Sequence, residues 1–257
     1  MDYTKELAFA KRMALEAGRI MKKYYRADQQ VKTKADQTPV TIADTEVNQL
    51  IVDQVKMAFP DYGVLGEEIS YQSDREKLWV CDPIDGTPAF IYHLPTSMFS
   101  LALVLDGVPM VGVAFNALTR EMYSAVKHQG AWLDDKGIKV STRKWGRDTR
   151  VIGSSDGSVG RDIPRTSLAK QDITVISGYS VVFKGCLVAD SSVDGRIWSG
   201  TGVHDIAAIK LIVEEAGGKV TDLDGNEQRY DRPINGAIMS NGLIHDELLR
   251  LVKASRQ

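Results

Sequence analysis

Three apolar segments of strand length follow one another between residues 97 and 126, and they constrain the fold more than any other feature. They are Ser97–Val104, Val108–Phe115 and Glu121–Val126. The Asp106-Gly107 pair that separates the first two is typical of a two-residue hairpin turn. Strands joined by so short a turn must run antiparallel. The sequence therefore predicts an antiparallel sheet in this part of the chain.

Helical periodicity surrounds these strands. Apolar residues recur at helical spacing from Thr4 to Tyr25 and again between Asp44 and Pro60. An apolar segment from Asp205 to Glu215 ends at Gly217-Gly218, a favourable helix stop, and His245–Val252 predicts a last helix. Because helices and strands alternate along the chain, the predicted class is α/β or α+β.

The segment from Lys144 to Arg150 is charged and lacks apolar periodicity, so we interpret it as a surface connection. Beyond it, Val151-Ile152 and Thr174–Ile176 predict short strands. The Gly-, Ser- and Arg-rich stretch between these strands is predicted to contain a helix. Lys219–Asp222 and Ala237–Ser240 predict two further strands.

The charge balance excludes some classes of partner. The 32 Lys and Arg residues nearly match the 34 Asp and Glu residues, which gives a net charge of −2. Neither a nucleic-acid polymer nor a membrane surface is therefore expected as a partner. The N-terminal residues lack a signal-peptide pattern, and no apolar run reaches the length of a membrane span. We expect a cytoplasmic protein.

The segment Asp82-Pro83-Ile84-Asp85-Gly86-Thr87 combines features of a cation site and an anion site. It follows Leu78–Cys81, which is predicted to be a buried strand, and precedes a predicted short helix at Pro88–Tyr92. Two nearby carboxylates offer the oxygen ligands that hard divalent cations prefer. Gly86 allows close approach of a ligand, and N–H groups at a helix start point towards an anion. Every residue here is also turn-prone, so a simple turn is the alternative.

Other acidic residues lie at the ends of apolar segments. Glu67 and Glu68 follow Val64-Leu65, Asp44 lies at a predicted helix start, and Asp205 opens an apolar helix. Each has an ordinary explanation, since glutamates are common in solvated loops and Asp is a favoured helix N-cap. Their combination with the Asp82–Thr87 segment is what favours a functional site.

Together these motifs resemble the inositol monophosphatase family of lithium-sensitive phosphatases. The resemblance runs from about Val40 to Asn241. The segments that carry it are Gly66-Glu67-Glu68, Asp82–Thr87, His204–Ala208 and Glu215–Gly218. It implies the five-layer α-β-α-β-α sandwich of the inositol monophosphatase and fructose bisphosphatase type. It also implies an antiparallel-rich half at residues 1–143 with most metal ligands, a smaller α/β half at 144–257 and a homodimer.

The resemblance also implies roles for individual residues in hydrolysis of a small phosphorylated metabolite by water that Mg²⁺ activates. Two to three Mg²⁺ ions would be bound. The implied metal ligands are Glu67, Asp82, the carbonyl of Ile84, Asp85 and Asp205, with Asp82 bridging two ions. Asp44 and Thr87 would activate the attacking water, with Glu67 as the further catalytic residue. The phosphate group would be bound at Asp85, Gly86 and Thr87.

The sequence departs from the family pattern where the substrate would bind. Trp198 replaces a glutamate that usually holds inositol hydroxyls, and His204 replaces the usual Trp before Asp205. With Lys184, these residues are predicted to line the substrate pocket. An indole offers a polyol no acceptor, so inositol 1-phosphate is predicted to be a poor substrate. The alternative is that Trp198 only packs over a neighbouring strand.

Two questions stay open from the sequence. The substrate could be inositol phosphate, histidinol phosphate, adenosine bisphosphate or a sugar phosphate. The chain could also be a catalytically weak protein that binds a phosphometabolite and regulates another process. The presence of Asp44 and Thr87 with the ligand set favours an enzyme.

Overall fold

Helices alternate with two main sheets in the computed structural model, which describes residues 2–153, 171, 173–176 and 180–256. The helices in these residues are α1 (Thr4–Tyr24), α2 (Ile42–Ala58), α3 (Thr87–Ile91), α4 (Val181–Ala189), α5 (Ala207–Glu215) and α6 (His245–Ser255). A short hairpin of β1 (Lys32–Thr33) and β2 (Pro39–Val40) precedes α2.

The larger sheet has seven strands, which lie side by side in chain order. They are β3 (Gly63–Gly66), β4 (Lys77–Asp85), β5 (Met98–Leu105), β6 (Val108–Phe115), β7 (Met122–Val126), β8 (Ala131–Leu133) and β9 (Lys136–Ile138). The β3–β4 pair is parallel and the other pairs are antiparallel. The predicted antiparallel sheet is therefore confirmed, including the turn at Asp106-Gly107.

The smaller sheet has five strands in the order β11-β10-β12-β14-β13. They are β10 (Arg150–Ile152), β11 (Thr174–Ile176), β12 (Gly195–Trp198), β13 (Lys219–Thr221) and β14 (Ala237–Ser240). The strand β10 pairs in parallel with both β11 and β12, whereas β14 is antiparallel to its two neighbours. The sheet is therefore mixed.

Three apolar clusters order these elements into five layers. Helices α1 and α2 cover one face of the seven-stranded sheet, and α4 and α5 lie between its other face and the five-stranded sheet. Helix α6 covers the outer face of the five-stranded sheet. The predicted α-β-α-β-α sandwich is confirmed.

Burial on both faces explains the continuous apolar strands. In β5, Phe99, Leu101 and Leu103 contact the α1–α2 layer. The alternate residues Ala102 and Val104 face the layer of α4 and α5. Since successive side chains point to opposite faces, a strand covered on both sides has no polar face.

Several expectations need correction or lie outside the described residues. Helix α4 and strand β12 were not predicted from the sequence. The apolar helix was expected to begin at Asp205, but α5 begins at Ala207 with Ile206 at the N-cap and no side-chain cap bond. Helix α2 begins two residues before Asp44. The predicted helix after Ile152 falls on residues that the structure does not describe. Among the described helices, none has the length and apolarity that a membrane crossing requires.

Candidate metal centre

A change of register at the end of β4 brings two carboxylates together. Asp82 lies opposite Ser100 and Asp85 opposite Met98, so β4 has one residue more than β5 over this stretch. In a regular strand, residues three apart point to opposite faces. A bulge of one residue re-aims the side chain that follows it. Asp82 and Asp85 therefore point into the same site.

Carboxylates from three segments converge there. Asp82, Asp85 and Asp205 each offer one carboxylate oxygen, and these three oxygen atoms lie within 4.8 Å of one another. A second group, formed by Glu67, Asp82 and an imidazole nitrogen of His204, meets the same limit. Asp82 belongs to both groups, as expected for a carboxylate between two cations. The structure therefore brings together the predicted ligands Glu67, Asp82, Asp85 and Asp205.

Asp82 shows that a divalent cation fits this cluster. Its side chain is buried, and Oδ1 has no hydrogen-bond partner among the described residues. Burial, followed by the charges of Glu67, Asp85 and Asp205, raises the pKa of Asp82 well above its usual value. A buried carboxylate without a partner is costly, and a divalent cation would remove that cost by accepting the oxygen as a ligand.

Asp85 is held by the start of α4. The backbone N–H groups of Val181 and Val182 each donate to its carboxylate at 2.8 Å, and the Ser180 hydroxyl donates to it as well. Burial raises the pKa of Asp85, while these donors and the positive charge of the buried Arg196 act in the opposite direction. The α4 N-terminus therefore fixes this carboxylate towards Asp82 and Asp205.

Gly86 follows Asp85 in a left-handed conformation with φ of 78°. A Cβ placed here would lie 2.9 Å from the Cβ of Ser180, closer than such atoms approach. Both the backbone conformation and the contact with the start of α4 therefore require glycine. The helix α3 begins at the next residue, Thr87.

Thr87 and Asp44, for which the resemblance implied a pairing, lie close together. The Thr87 hydroxyl lies 3.4 Å from Asp44 Oδ1 and 3.2 Å from the carbonyl oxygen of Ile84. The other carboxylate oxygen of Asp44 accepts hydrogen bonds from the hydroxyl and the N–H of Thr41, at 2.5 and 2.8 Å. Burial raises the pKa of Asp44 to about 7, although the Thr41 bonds oppose this shift.

Lys34 supplies a positive charge at the edge of the cluster. Its ammonium group lies 2.8 Å from Glu67 Oε1 and 2.7 Å from Glu68 Oε1. Burial works against the charged form, but the hydrogen bonds to the two glutamates raise the pKa of Lys34 overall. The hairpin of β1 and β2 therefore brings a cation to the outer side of the site.

The predicted substrate-pocket residues differ in their surroundings. The side chain of His204 is partly exposed, with Nε2 3.7 Å from Asp205 Oδ2, and burial lowers the pKa of its imidazole. Lys184 is buried in α4. Trp198 is 6% exposed and belongs to the apolar cluster between the two sheets. This burial favours a packing role for Trp198, and its contact with substrate stays a prediction.

Sequence reasoning missed three residues that organise the site: Thr41, Ser180 and Lys34. Thr41 and Asp44 form a reciprocal capping box, and the Thr-x-x-acid spacing could have revealed it. Ser180 precedes the apolar run of α4, where a cap is expected. No local pattern in the sequence pairs Lys34 with Glu67 and Glu68.

Comparison with known proteins agrees with this geometry. A profile of the inositol monophosphatase family matches residues 2–257. A fructose-1,6-bisphosphatase/inositol-1-monophosphatase of Thermotoga maritima is 32% identical over 96% of this chain and 95% of its own. A histidinol-phosphatase of Mycobacterium tuberculosis is 33% identical over 88% of this chain and 89% of its own. A solved IMPase structure from Thermotoga maritima superposes with a TM-score of 0.88 at 30% identity, covering 98% of each chain.

Proposed function

The chain belongs to the inositol monophosphatase family and is a phosphatase, and we propose that it hydrolyses small phosphate monoesters with Mg²⁺. The observation that supports this most is the buried Asp82 carboxylate shared by two groups of potential ligands, next to the Asp44–Thr87 pair. Such an arrangement combines a cation centre with a proton acceptor, which phosphate monoester hydrolysis needs.

The ion-binding residues in this proposal are Glu67, Asp82, Asp85, Asp205 and the carbonyl oxygen of Ile84. They would hold two to three ions, and the two groups of potential ligands that share Asp82 support two of these. When bound, Mg²⁺ neutralises phosphate charge and makes water more acidic. The protein contributes the fixed positions of the carboxylates, above all that of Asp85 at the start of α4.

Asp44 and Thr87 would handle the proton. Asp44 Oδ2 is already engaged by Thr41, so Oδ1 is the atom that faces the Thr87 hydroxyl. When Thr87 donates its only proton to Oδ1, its oxygen can accept a hydrogen bond from the attacking water. The proton can then pass through the hydroxyl to Asp44, whose pKa near 7 suits a base at neutral pH.

The phosphate group would lie against Asp85, Gly86 and Thr87. The left-handed Gly86 is the N-cap of α3, so the amides of Gly86 and Thr87 belong to the turn that opens this helix. Backbone N–H groups in such a turn bind anions. Glu67 would complete the catalytic set as a ligand next to the attacking water.

The proposed substrate preference follows from a position at which the sequence departs from the family pattern. Position 198 carries an indole, so whether it packs or faces the substrate it gives a polyol no carboxylate acceptor. We therefore propose histidinol phosphate or a nucleotide over inositol 1-phosphate. The same proposal includes a cytoplasmic homodimer in which residues 1–143 carry most ligands and residues 144–257 complete the site.

A phosphate-release screen tests this proposal. Wild type with Mg²⁺ is assayed on inositol 1-phosphate, histidinol phosphate, adenosine bisphosphate and fructose bisphosphate, with Asp82→Asn as the inactive control. The expected result is turnover of at least one ester by wild type and none by the variant, with inositol 1-phosphate a poor substrate. Equal turnover by Asp82→Asn would contradict the proposed centre. A wild type inactive on all four would favour the regulatory alternative.

A further inference from the structure

The two ligand groups that share Asp82 differ in chemistry. Asp82, Asp85 and Asp205 offer only carboxylate oxygens, whereas Glu67, Asp82 and His204 include an imidazole nitrogen. The nitrogen lies within 4.8 Å of both carboxylate oxygens in its group. His204 and Asp205 are adjacent in the chain, so one turn supplies a nitrogen ligand to one group and an oxygen ligand to the other.

The backbone before this turn helps to hold both side chains. A Cβ added at Gly202 would lie 2.4 Å from Asp205 Oδ2 and 3.0 Å from His204 Nε2. The backbone of Gly202 is therefore close to both potential ligand atoms and limits where they can move. A neutral imidazole has a lone pair on one ring nitrogen, so His204 can act as a nitrogen ligand in this position.

The second observation that points to a ligand is the buried Asp82 Oδ1, which lacks a partner among the described residues. Asp82 belongs to the group that contains His204, so a cation bound there would contact both. Oxygen-only sites suit Mg²⁺, whereas imidazole is a ligand of first-row transition ions such as Fe²⁺, Ni²⁺ and Zn²⁺. Mn²⁺ accepts both oxygen and nitrogen ligands, and its unpaired electrons make it the spectroscopic probe for such a site.

We propose that Glu67, Asp82 and His204 form a mixed nitrogen–oxygen site that prefers a first-row transition ion, while Asp82, Asp85 and Asp205 take Mg²⁺. This inference rests on the proposed function, because it concerns the same centre. It adds that the centre is asymmetric and that His204 is a metal ligand instead of a pocket wall. The structural alternative is that the imidazole only packs beside Asp205.

Electron spin-echo spectroscopy of bound Mn²⁺ tests the nitrogen ligand directly. The full-length protein is freed of metal by chelation and loaded with one equivalent of Mn²⁺ in excess Mg²⁺. We expect modulation from a directly bound imidazole nitrogen in wild type. His204→Gln should lose it while keeping a polar side chain. His128→Gln, which removes an exposed histidine, should retain it.

A binding titration gives a second readout. His204→Gln should weaken Mn²⁺ binding by about tenfold or more, since even supporting groups outside the ligand shell cost that much. Its Mg²⁺ affinity should change far less. A wild-type Mn²⁺ complex without nitrogen modulation, or no Mn²⁺ binding, would overturn the inference. If Mg²⁺-dependent phosphate release then persisted in wild type and was absent in Asp82→Asn, the proposed function would stand without it.

Discussion

At the residue scale, the candidate site is dominated by a buried carboxylate that the described protein groups do not satisfy. Asp82 is 2% exposed, and its Oδ1 has no hydrogen-bond partner among the described residues. Asp85, by contrast, accepts three hydrogen bonds from the start of α4. The two carboxylates of one sequence motif therefore differ, and Asp82 is the one with an oxygen atom left for a cation.

The Thr87 hydroxyl is expected to be required for turnover. Thr87→Val keeps the shape of the side chain but removes the hydroxyl that, in the proposed mechanism, links Asp44 Oδ1 to the attacking water. Loss of a positioned proton acceptor typically costs about 10²–10⁴-fold in rate. We expect kcat to fall by that range with little change in KM, and Thr87→Ser to retain most activity. Steady-state phosphate release measures both. A Thr87→Val variant as active as Thr87→Ser would rule out this role.

Trp198 is expected to contribute mainly to stability. Its indole is 6% exposed and packs between the sheets, whereas Trp132 is 44% exposed. Truncation of a buried aromatic residue costs roughly 3–5 kcal/mol. Trp198→Ala should therefore lower the free energy of unfolding by about that amount, and Trp132→Ala by much less. Urea denaturation measures the free energy of unfolding of both variants. Similar small losses in both variants would mean that Trp198 is free to contact substrate.

At the element scale, the N-terminus of α4 joins the two sheets at the site. Its first N–H groups bind Asp85 from the seven-stranded sheet, while the helix packs against β12 of the five-stranded sheet. The site is therefore built by contacts between layers, and a small shift of α4 would displace a potential metal ligand.

Alanine substitution of Gly86 tests this contact, with Gly217 as the matched control. Gly86 and Gly217 both have left-handed backbones, but a Cβ at Gly217 would meet nothing within 4 Å. Alanine in this conformation costs about 1–2 kcal/mol. Gly217→Ala should show only this loss in thermal unfolding and stay active. Gly86→Ala should lose more stability and most activity, because the new methyl group displaces Ser180. Equal losses in the two variants would refute a crowded Gly86.

The elements predicted from the sequence were those with an apolar face, a turn or helix-stop signal, or a continuous apolar run of strand length. The helix α1 has an apolar face, and the Asp106-Gly107 turn fixed the β5–β6 hairpin. Helix α4 lies between two sheets, so it is apolar on nearly all sides and shows no helical periodicity. Strand β12 carries the buried Arg196, which breaks the apolar pattern of a strand. Contacts such as Lys34 with Glu67 depend on layer packing and leave no local signal.

At the scale of the whole molecule, the outer layer is coupled to the five-stranded sheet through a buried histidine. His245, the first residue of α6, lies between the hydroxyls of Thr221 at 3.0 Å and Ser240 at 2.9 Å. Burial, followed by the charge of Lys219, lowers the pKa of His245 from 6.5 to about 4. The folded protein therefore holds this imidazole in its neutral form.

This shift predicts a loss of stability in acid. The unfolded chain binds a proton at His245 below pH 6.5, whereas the folded chain does so only near pH 4. The contribution of His245 to the free energy of unfolding is therefore fully present above pH 6.5. It falls by up to about 3 kcal/mol as the pH drops to 4. Buried carboxylates with raised pKa values act in the opposite direction, so the measurement is a comparison of variants.

Denaturant unfolding from pH 4 to 7.5 makes that comparison. The difference in free energy of unfolding between wild type and His245→Gln should shrink as the pH falls, because the variant has no group to protonate. His128→Gln, at an exposed turn, should follow wild type throughout. A constant difference between wild type and His245→Gln would mean that His245 is not held neutral.

Reconstitution with Mg²⁺ is the most direct test of the central claim, that the carboxylates around Asp82 form the metal centre of a phosphatase. The protein is freed of metal by chelation, checked by elemental analysis and assayed for phosphate release from its best ester as Mg²⁺ is added. Wild type should begin at the level of Asp82→Asn and recover activity saturably, whereas the variant should stay inactive. Full turnover by wild type after complete metal removal would contradict the account.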